Sequence, residues 1–326
     1  MKRIIYILTA CITLLCACEK EIKFNGDYDG EKLVLFSFAN PDSVLTAKLF
    51  KSTFILSHES PGRLNQISGA HVWAEVNEKY KYDFRERITE YRYDYGDEWS
   101  VQVVIDYISD YQPKPGDHIV VHASHQNFKE VYGETVVPQR PDMRVSPVEF
   151  KEDKKDPGSM IRACVDVTIN DPAETDDYYS LNMAVKSIPD EYYLSEWSWM
   201  RVYSEDVIFY KTGVGDFIDS IEGMENEIPE YFDDGAFGGE AHRFNIWSRI
   251  YVGDGEEYCR SIAPSDIKVV VDNMSESLYR YCKSRDAAEN TGGFGSIFGE
   301  QVSIYNNIVN GIGCVGAIAG TEMKLE

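Results

Sequence analysis

Ile161-Arg162-Ala163-Cys164-Val165-Asp166-Val167-Thr168-Ile169-Asn170 alternates without a break. Ile161, Ala163, Val165, Val167 and Ile169 fall on one side, and Arg162, Cys164, Asp166, Thr168 and Asn170 on the other. A helix would scatter this pattern around its circumference. An extended chain sends successive side chains to opposite faces, so the stretch predicts a strand with one buried face. The same reading extends outward. Upstream, Leu45, Ala47 and Leu49 alternate with Val44, Thr46 and Lys48. Val101, Val103, Ile105 and Tyr107 alternate with Gln102, Val104 and Asp106, and Ile119, Val121 and Ala123 with His118, Val120 and His122. Downstream, strand candidates cover Tyr178 to Val185, Met200 to Tyr210, Arg243 to Val252 and Ile267 to Val271.

Turn signals separate these runs: Asn40-Pro41-Asp42, Ser60-Pro61-Gly62 and Pro113-Lys114-Pro115-Gly116-Asp117. Strands at this spacing predict a mainly β protein. A small antiparallel sandwich is expected over residues 32–140. Pro138, Pro141, Pro147 and Pro157, with the charged run Lys151 to Asp156, mark 141–160 as a linker or an excursion between strands. A larger β-rich sandwich or barrel follows over 161–326. It carries one helix, about 275–289, with Asn273 as its cap, Glu276 three residues on, and Leu278, Tyr281, Cys282 and Arg285 on one face.

The amino terminus carries an address. Lys2 and Arg3 precede the apolar run Ile4 to Leu15, the pattern of a secretory signal. The run is too short to span a bilayer, which takes about 20 apolar residues. It ends in Leu15-Cys16-Ala17-Cys18, the arrangement of a bacterial lipobox: an apolar residue three before a Cys and a small one just before it. Leu15 is too bulky to precede a cleaved Cys16, and cleavage before Cys11 would leave Ile12 to Leu15 exposed. Residues 1–17 are therefore expected to be removed and Cys18 to take the diacylglycerol. Acyl chains contribute ~0.8 kcal/mol per buried CH₂, and more than one gives stable anchoring. Residues 18–31, rich in Glu, Asn, Asp and Gly, are expected to act as a polar tether.

The charge limits the partners. With 32 Lys+Arg against 55 Asp+Glu, the 326-residue chain carries −23. Loss of Lys2 and Arg3 deepens that by two. Such a body repels nucleic acid along every phosphate and offers no polybasic face to anionic lipid.

Candidate chemistry is sparse. His118, His122 and His125 have spacings that chelate zinc from a helix, but on a strand four residues span roughly 13 Å. They are expected to face solvent without a metal. Gly311-Ile312-Gly313-Cys314-Val315-Gly316 matches G-x-G-x-x-G, but a dinucleotide site needs a following helix in a βαβ unit. A closing strand whose glycines admit close backbone approach is the expectation. Asn25, Asp27, Asp29 and Gly30 imitate half of an EF-hand loop, yet Phe36 stands where the bidentate Glu belongs. Asp233-Asp234-Gly235, and Asp171 with Asp176-Asp177, suit weak calcium binding; turn chemistry explains them as well. No other cofactor is expected. Trp197, Trp199, Arg201 and Tyr203 would share one face of an extended segment. Trp197, Trp199 and Tyr203 are the candidate ligand-binding residues, since aromatic rows stack on sugars or anchor interfaces. Core packing explains the same residues. No G-x-S-x-G is present, and the acids offer too many pairs to pick a glycosidase couple. Cys164, Cys259, Cys282 and Cys314 leave three disulfide pairings and the free-thiol reading open.

Several short motifs add a resemblance. Cys18-Glu19-Lys20-Glu21-Ile22 is followed by Lys32-Leu33-Val34-Leu35. Ser68-Gly69-Ala70-His71-Val72, Pro115-Gly116-Asp117 and Asp171-Pro172 before Tyr178-Tyr179 come next. Ser277-Leu278-Tyr279-Arg280-Tyr281 and Ile304-Tyr305-Asn306-Asn307-Ile308-Val309-Asn310-Gly311-Ile312-Gly313 close the set. Together they resemble the Bacteroidota lipoprotein family called domain of unknown function 4249 (DUF4249). Cys314 and Val315 depart from its pattern, as does the stretch from Glu191 to Glu240. The resemblance implies a surface lipoprotein, often encoded beside a TonB-dependent outer-membrane receptor. It also implies a front half similar to immunoglobulin-like or carboxypeptidase-regulatory-like modules. It carries no catalytic residues. The resulting expectation is a lipid-anchored, non-enzymatic accessory protein of the outer membrane, facing outward, that binds a small molecule, peptide or glycan beside such a receptor. An anchor subunit of a surface fibre and a surface hydrolase are the alternatives.

Overall fold

Period-two alternation becomes eighteen strands, joined by one long helix among the described residues. The structure, a computed structural model, describes residues 30–52, 65–94, 99–186, 196–209, 227–252, 262–291 and 303–326. The front half holds β1 (Leu33–Ala39), β2 (Thr46–Lys51), β3 (His71–Val76), β4 (Tyr80–Asp83), β5 (Arg85–Asp94), β6 (Trp99–Ile108), β7 (His118–His125) and β8 (Phe128–Val136). Then come β9 (Asp142–Val145), β10 (Glu149–Glu152), β11 (Met160–Asn170), β12 (Tyr178–Lys186), β13 (Trp197–Met200), β14 (Tyr203–Ser204), β15 (Phe232–Asp233), β16 (Ala241–Tyr251) and β17 (Ile267–Met274). Helix α1 (Glu276–Thr291) and β18 (Ile312–Lys324) complete the chain.

The strands form three sheets. The nine-stranded one runs β13-β12-β17-β18-β1-β2-β6-β5, with β15 also on β12. The five-stranded one runs β10-β11-β16-β14, with β9 on β11, and the four-stranded one runs β4-β3-β7-β8. None of the three closes on itself, so the arrangement is sandwich-like and not a barrel. Two cores result. In front, Val72, Ile119, Val121 and Val131 pack on Leu33, Leu35 and Leu49. Behind, Val165, Val167, Phe244 and Ile246 pack on Leu181, Met183, Val269 and Val271. Each such aliphatic side chain contributes ~1.5–3 kcal/mol when fully buried.

β18 joins the halves. Its first part runs parallel to β1, from Val34↔Ile312 to Ala39↔Ala317. Its second part runs antiparallel to β17, from Met274↔Ile318 to Lys268↔Lys324. Val315 and Ala317 enter the front core, and Leu325, just past the strand, enters the rear one. The glycine motif opens this strand, as expected. Gly313 has φ +128° and meets the Leu35 backbone, and Gly316 meets Leu278 of α1.

Three local expectations change. The stretch 141–160 contains β9 and β10, both paired with β11. Its prolines stand beside strands and not within them, where no ladder N–H is lost. Met200 to Tyr210 is not one strand: β13 pairs with β12, and β14 crosses to β16 in another sheet. Buried Val202 sits at the crossing, a 3₁₀ turn occupies Val207–Phe209, and Tyr210 lies outside the described residues. The cap of α1 is Ser275 and not Asn273. Ser275 Oγ accepts from the Leu278 N–H at 3.4 Å and from the Ala317 N–H at 2.9 Å. Asn273 lies in β17 and points elsewhere.

Candidate functional site

Asn273 points to a buried group of carboxylates. Asp171 follows β11, Asp177 precedes β12, and Asp234 follows β15. The pairing of β12 with β17 and β15 draws these turns together. One carboxylate oxygen from each lies within 4.8 Å of the others, and all three residues are buried. Asp171 accepts from the Tyr179 hydroxyl and from the Gly239 N–H, both at 2.7 Å. Asp177 accepts from Asn273 Nδ2 at 2.5 Å and from the Thr175 hydroxyl at 2.6 Å. Asp234 accepts from the Asp177 N–H at 3.0 Å. Among the described residues, no arginine or lysine forms an ion pair with any of them.

The electrostatics follow from that arrangement. Burial pushes the Asp234 carboxyl above the usual carboxylate range, opposed by the N–H from Asp177 and reinforced by Asp171, Asp177 and Asp176. Burial, then the bond to Asp171, pushes the Tyr179 phenol up, so it stays a donor. An all-oxygen group of this kind can share a proton or hold a hard divalent cation; it lacks the nitrogen and sulfur ligands that suit zinc. The sequence singled out Asp171 with Asp176-Asp177 and Asp233-Asp234-Gly235 separately. The structure unites Asp171, Asp177 and Asp234. Asp233 does follow turn chemistry: its carboxylate accepts from the Gly235 N–H at 3.2 Å and from the Tyr279 hydroxyl at 3.0 Å.

The aromatic row divides. Trp197 and Trp199 stay together on β13, an edge of the large sheet. Lys268 Nζ lies 4.7 Å from the Trp197 ring centre and 5.8 Å from that of Trp199. Lys324 Nζ lies 5.6 Å from Trp197. Trp199 is 63% exposed. Tyr203, on β14 in the other sheet, stacks on Trp247 at 6.1 Å, with the Arg249 guanidinium 5.5 Å from its ring. The tryptophans therefore present a surface, while Tyr203 helps to build one face of the five-stranded sheet.

The histidines occupy β7. His118 lies 3.1 Å from Glu134, and His122 lies 3.3 Å from Glu130. His122 is not simply solvent-facing: it stacks between Trp73 at 4.8 Å and Tyr132 at 5.4 Å. Sequence periodicity gave its side of the strand but could not show its cross-strand neighbours. Cys164, Cys282 and Cys314 are free thiols. Cys18, Cys259, the EF-hand-like Asn25, Asp27 and Asp29, and most of the tether lie outside the described residues. Among the described residues, no helix is long and apolar enough to cross a membrane.

These sheets and their buried acids define a mainly β protein of several stacked layers, with two cores tied by one carboxy-terminal strand. The chain belongs to the family described as Domain of unknown function (DUF4249), whose model matches residues 19–324. No curated protein matches it.

Proposed function

We infer that the protein is a lipid-anchored, non-enzymatic component of the outer membrane. It binds a small molecule, peptide or glycan beside a TonB-dependent receptor during nutrient uptake. One observation carries this reading: the lipobox ends at Cys18, and the family match begins at residue 19. That is the boundary cleavage before Cys18 would create, less the acylated residue itself. The resemblance carried by the chain's short motifs, which implies a surface lipoprotein often encoded beside such a receptor, supports the partner. The exposed Trp199, next to Trp197, supplies an aromatic surface of the type that stacks on sugar or peptide groups. Gentle detergent extraction from cells producing native amounts, followed by affinity capture, tests the reading. A receptor-sized outer-membrane protein recovered with the chain is expected. Its absence from captures that retain acylated protein would overturn the partnership.

A further inference from the structure

Trp199 stands at one end of a row that crosses four strands. It lies opposite Ala184 of β12, which lies opposite Lys268 of β17, which lies opposite Lys324 of β18. Residues opposite each other share a face. The row therefore lines the outer surface of the large sheet, away from the core that takes Leu325. Two ammonium groups stand side by side in it, an arrangement that is unfavourable unless negative charge answers it. Lys268 has its answer. Its Nζ lies 2.7 Å from a Glu322 carboxylate oxygen, and only 11% of its side chain is exposed. Lys324 has none: its Nζ rests 5.6 Å from the Trp197 ring centre, and it forms no ion pair among the described residues. Lys186, opposite Trp197, brings a third ammonium, 3.7 Å from Glu196. This is a cationic spot around two indoles, on a chain that carries −23.

We propose that this row binds an acidic glycan: one sugar ring stacks on Trp199, and a carboxylate or sulfate of the same glycan pairs with Lys324. The inference rests on the ligand-binding reading above and names the ligand class. Trp199 is 63% exposed, so its ring can take the C–H face of a sugar, a flat contact that needs no pocket. Three strand spacings, about 14 Å at Cα, separate Trp199 from Lys324. That span suits a short oligosaccharide better than a single sugar. Acids elsewhere on the body lie beyond a Debye length of about 8 Å at physiological salt, so they are largely screened from such a ligand.

Calorimetric titration of the full mature chain, purified in detergent, tests the proposal. The probes are trigalacturonate, its uncharged methyl ester, a sulfated galactan trisaccharide and triglutamate. Trigalacturonate or the sulfated trisaccharide is expected to bind about tenfold tighter than the methyl ester. Lys324→Gln is expected to abolish that preference and Lys324→Arg to keep it. Lys129→Gln, which deletes the same charge from β8, is expected to leave it intact. Trp199→Ala is expected to weaken every sugar. Melting curves check that each variant is folded. No preference for either charged sugar, a preference that survives Lys324→Gln, or triglutamate bound as tightly as the charged sugars would each overturn the proposal. The titration contains no receptor and no membrane, so its failure leaves the anchor and the receptor to their own experiments.

Discussion

Gly313 stands directly opposite Leu35 in the parallel β1–β18 pair, at φ +128° and with no room for a Cβ against the Leu35 carbonyl. Only glycine is comfortable there. Gly313→Ala is expected to cost about 3 kcal/mol or more, combining backbone strain with displacement of β1. Urea unfolding measures it. Gly30→Ala, at a positive φ but with open space, should cost less.

Asp153 is shielded from solvent and accepts from Arg162 Nε at 2.8 Å and Arg249 Nε at 3.0 Å. It also accepts from the N–H groups of Lys155 at 2.8 Å and Asp156 at 3.1 Å. Although burial opposes it, these bonds and the Arg249 charge hold its carboxyl well below the usual range. Its contribution is therefore complete above the unfolded value of about 3.9 and disappears as pH falls through the folded one. Asp153→Ala removes the buried carboxylate to which both arginines donate and is expected to cost about 3–5 kcal/mol at pH 7. Denaturant curves at pH 7 and pH 3 should show the difference shrinking in acid.

Asp234 has the opposite sign. Its carboxyl is raised, so stability is greatest below the unfolded value and falls as pH rises through the folded one. In metal-free buffer, Asp234→Asn is expected to raise the melting temperature at pH 8 and to leave it nearly unchanged at pH 4. Thermal melts at the two values check this.

Trp199 and Tyr203 should separate by phenotype. Trp199 is exposed at an edge, so Trp199→Ala is expected to change stability by no more than about 0.5 kcal/mol. Tyr203→Ala removes a ring stacked on Trp247 and is expected to cost about 1–3 kcal/mol. If the tryptophans form the ligand surface, only the first loses ligand capture while remaining as stable as the parent.

Ser275→Ala removes the hydroxyl that caps α1 and is expected to cost about 1 kcal/mol. Asn273→Ala should act differently, through the carboxylates, by removing the donor to Asp177. Melts of each substitution with and without Asp234→Asn distinguish the two: only Asn273→Ala is expected to couple.

Local chemistry made much of the fold legible. Alternation gave β11 because one face of that strand is buried and the other is not. The helix was readable from the apolar face of Leu278, Tyr281 and Cys282, but its cap was not. Asn273 and Ser275 are both good caps, and only the demand of Asp177 on Asn273 decides between them. The prolines of 141–160 punctuate strands as readily as linkers, and local sequence does not separate the two. The pairing of β18 with β1 links opposite ends of the chain, so no local pattern announces it. For the same reason, Asp171, Asp177 and Asp234 were legible as turn acids but not as one group. Sheet order, set by distant pairing, brings them within reach.

The functional account depends on the amino-terminal residue of the mature chain. Mass spectrometry of the protein purified from outer membranes measures it directly. The expected species begins at Cys18 and carries a diacylglyceryl thioether with a further acyl chain. A chain that begins at any other residue, without lipid, would contradict the account.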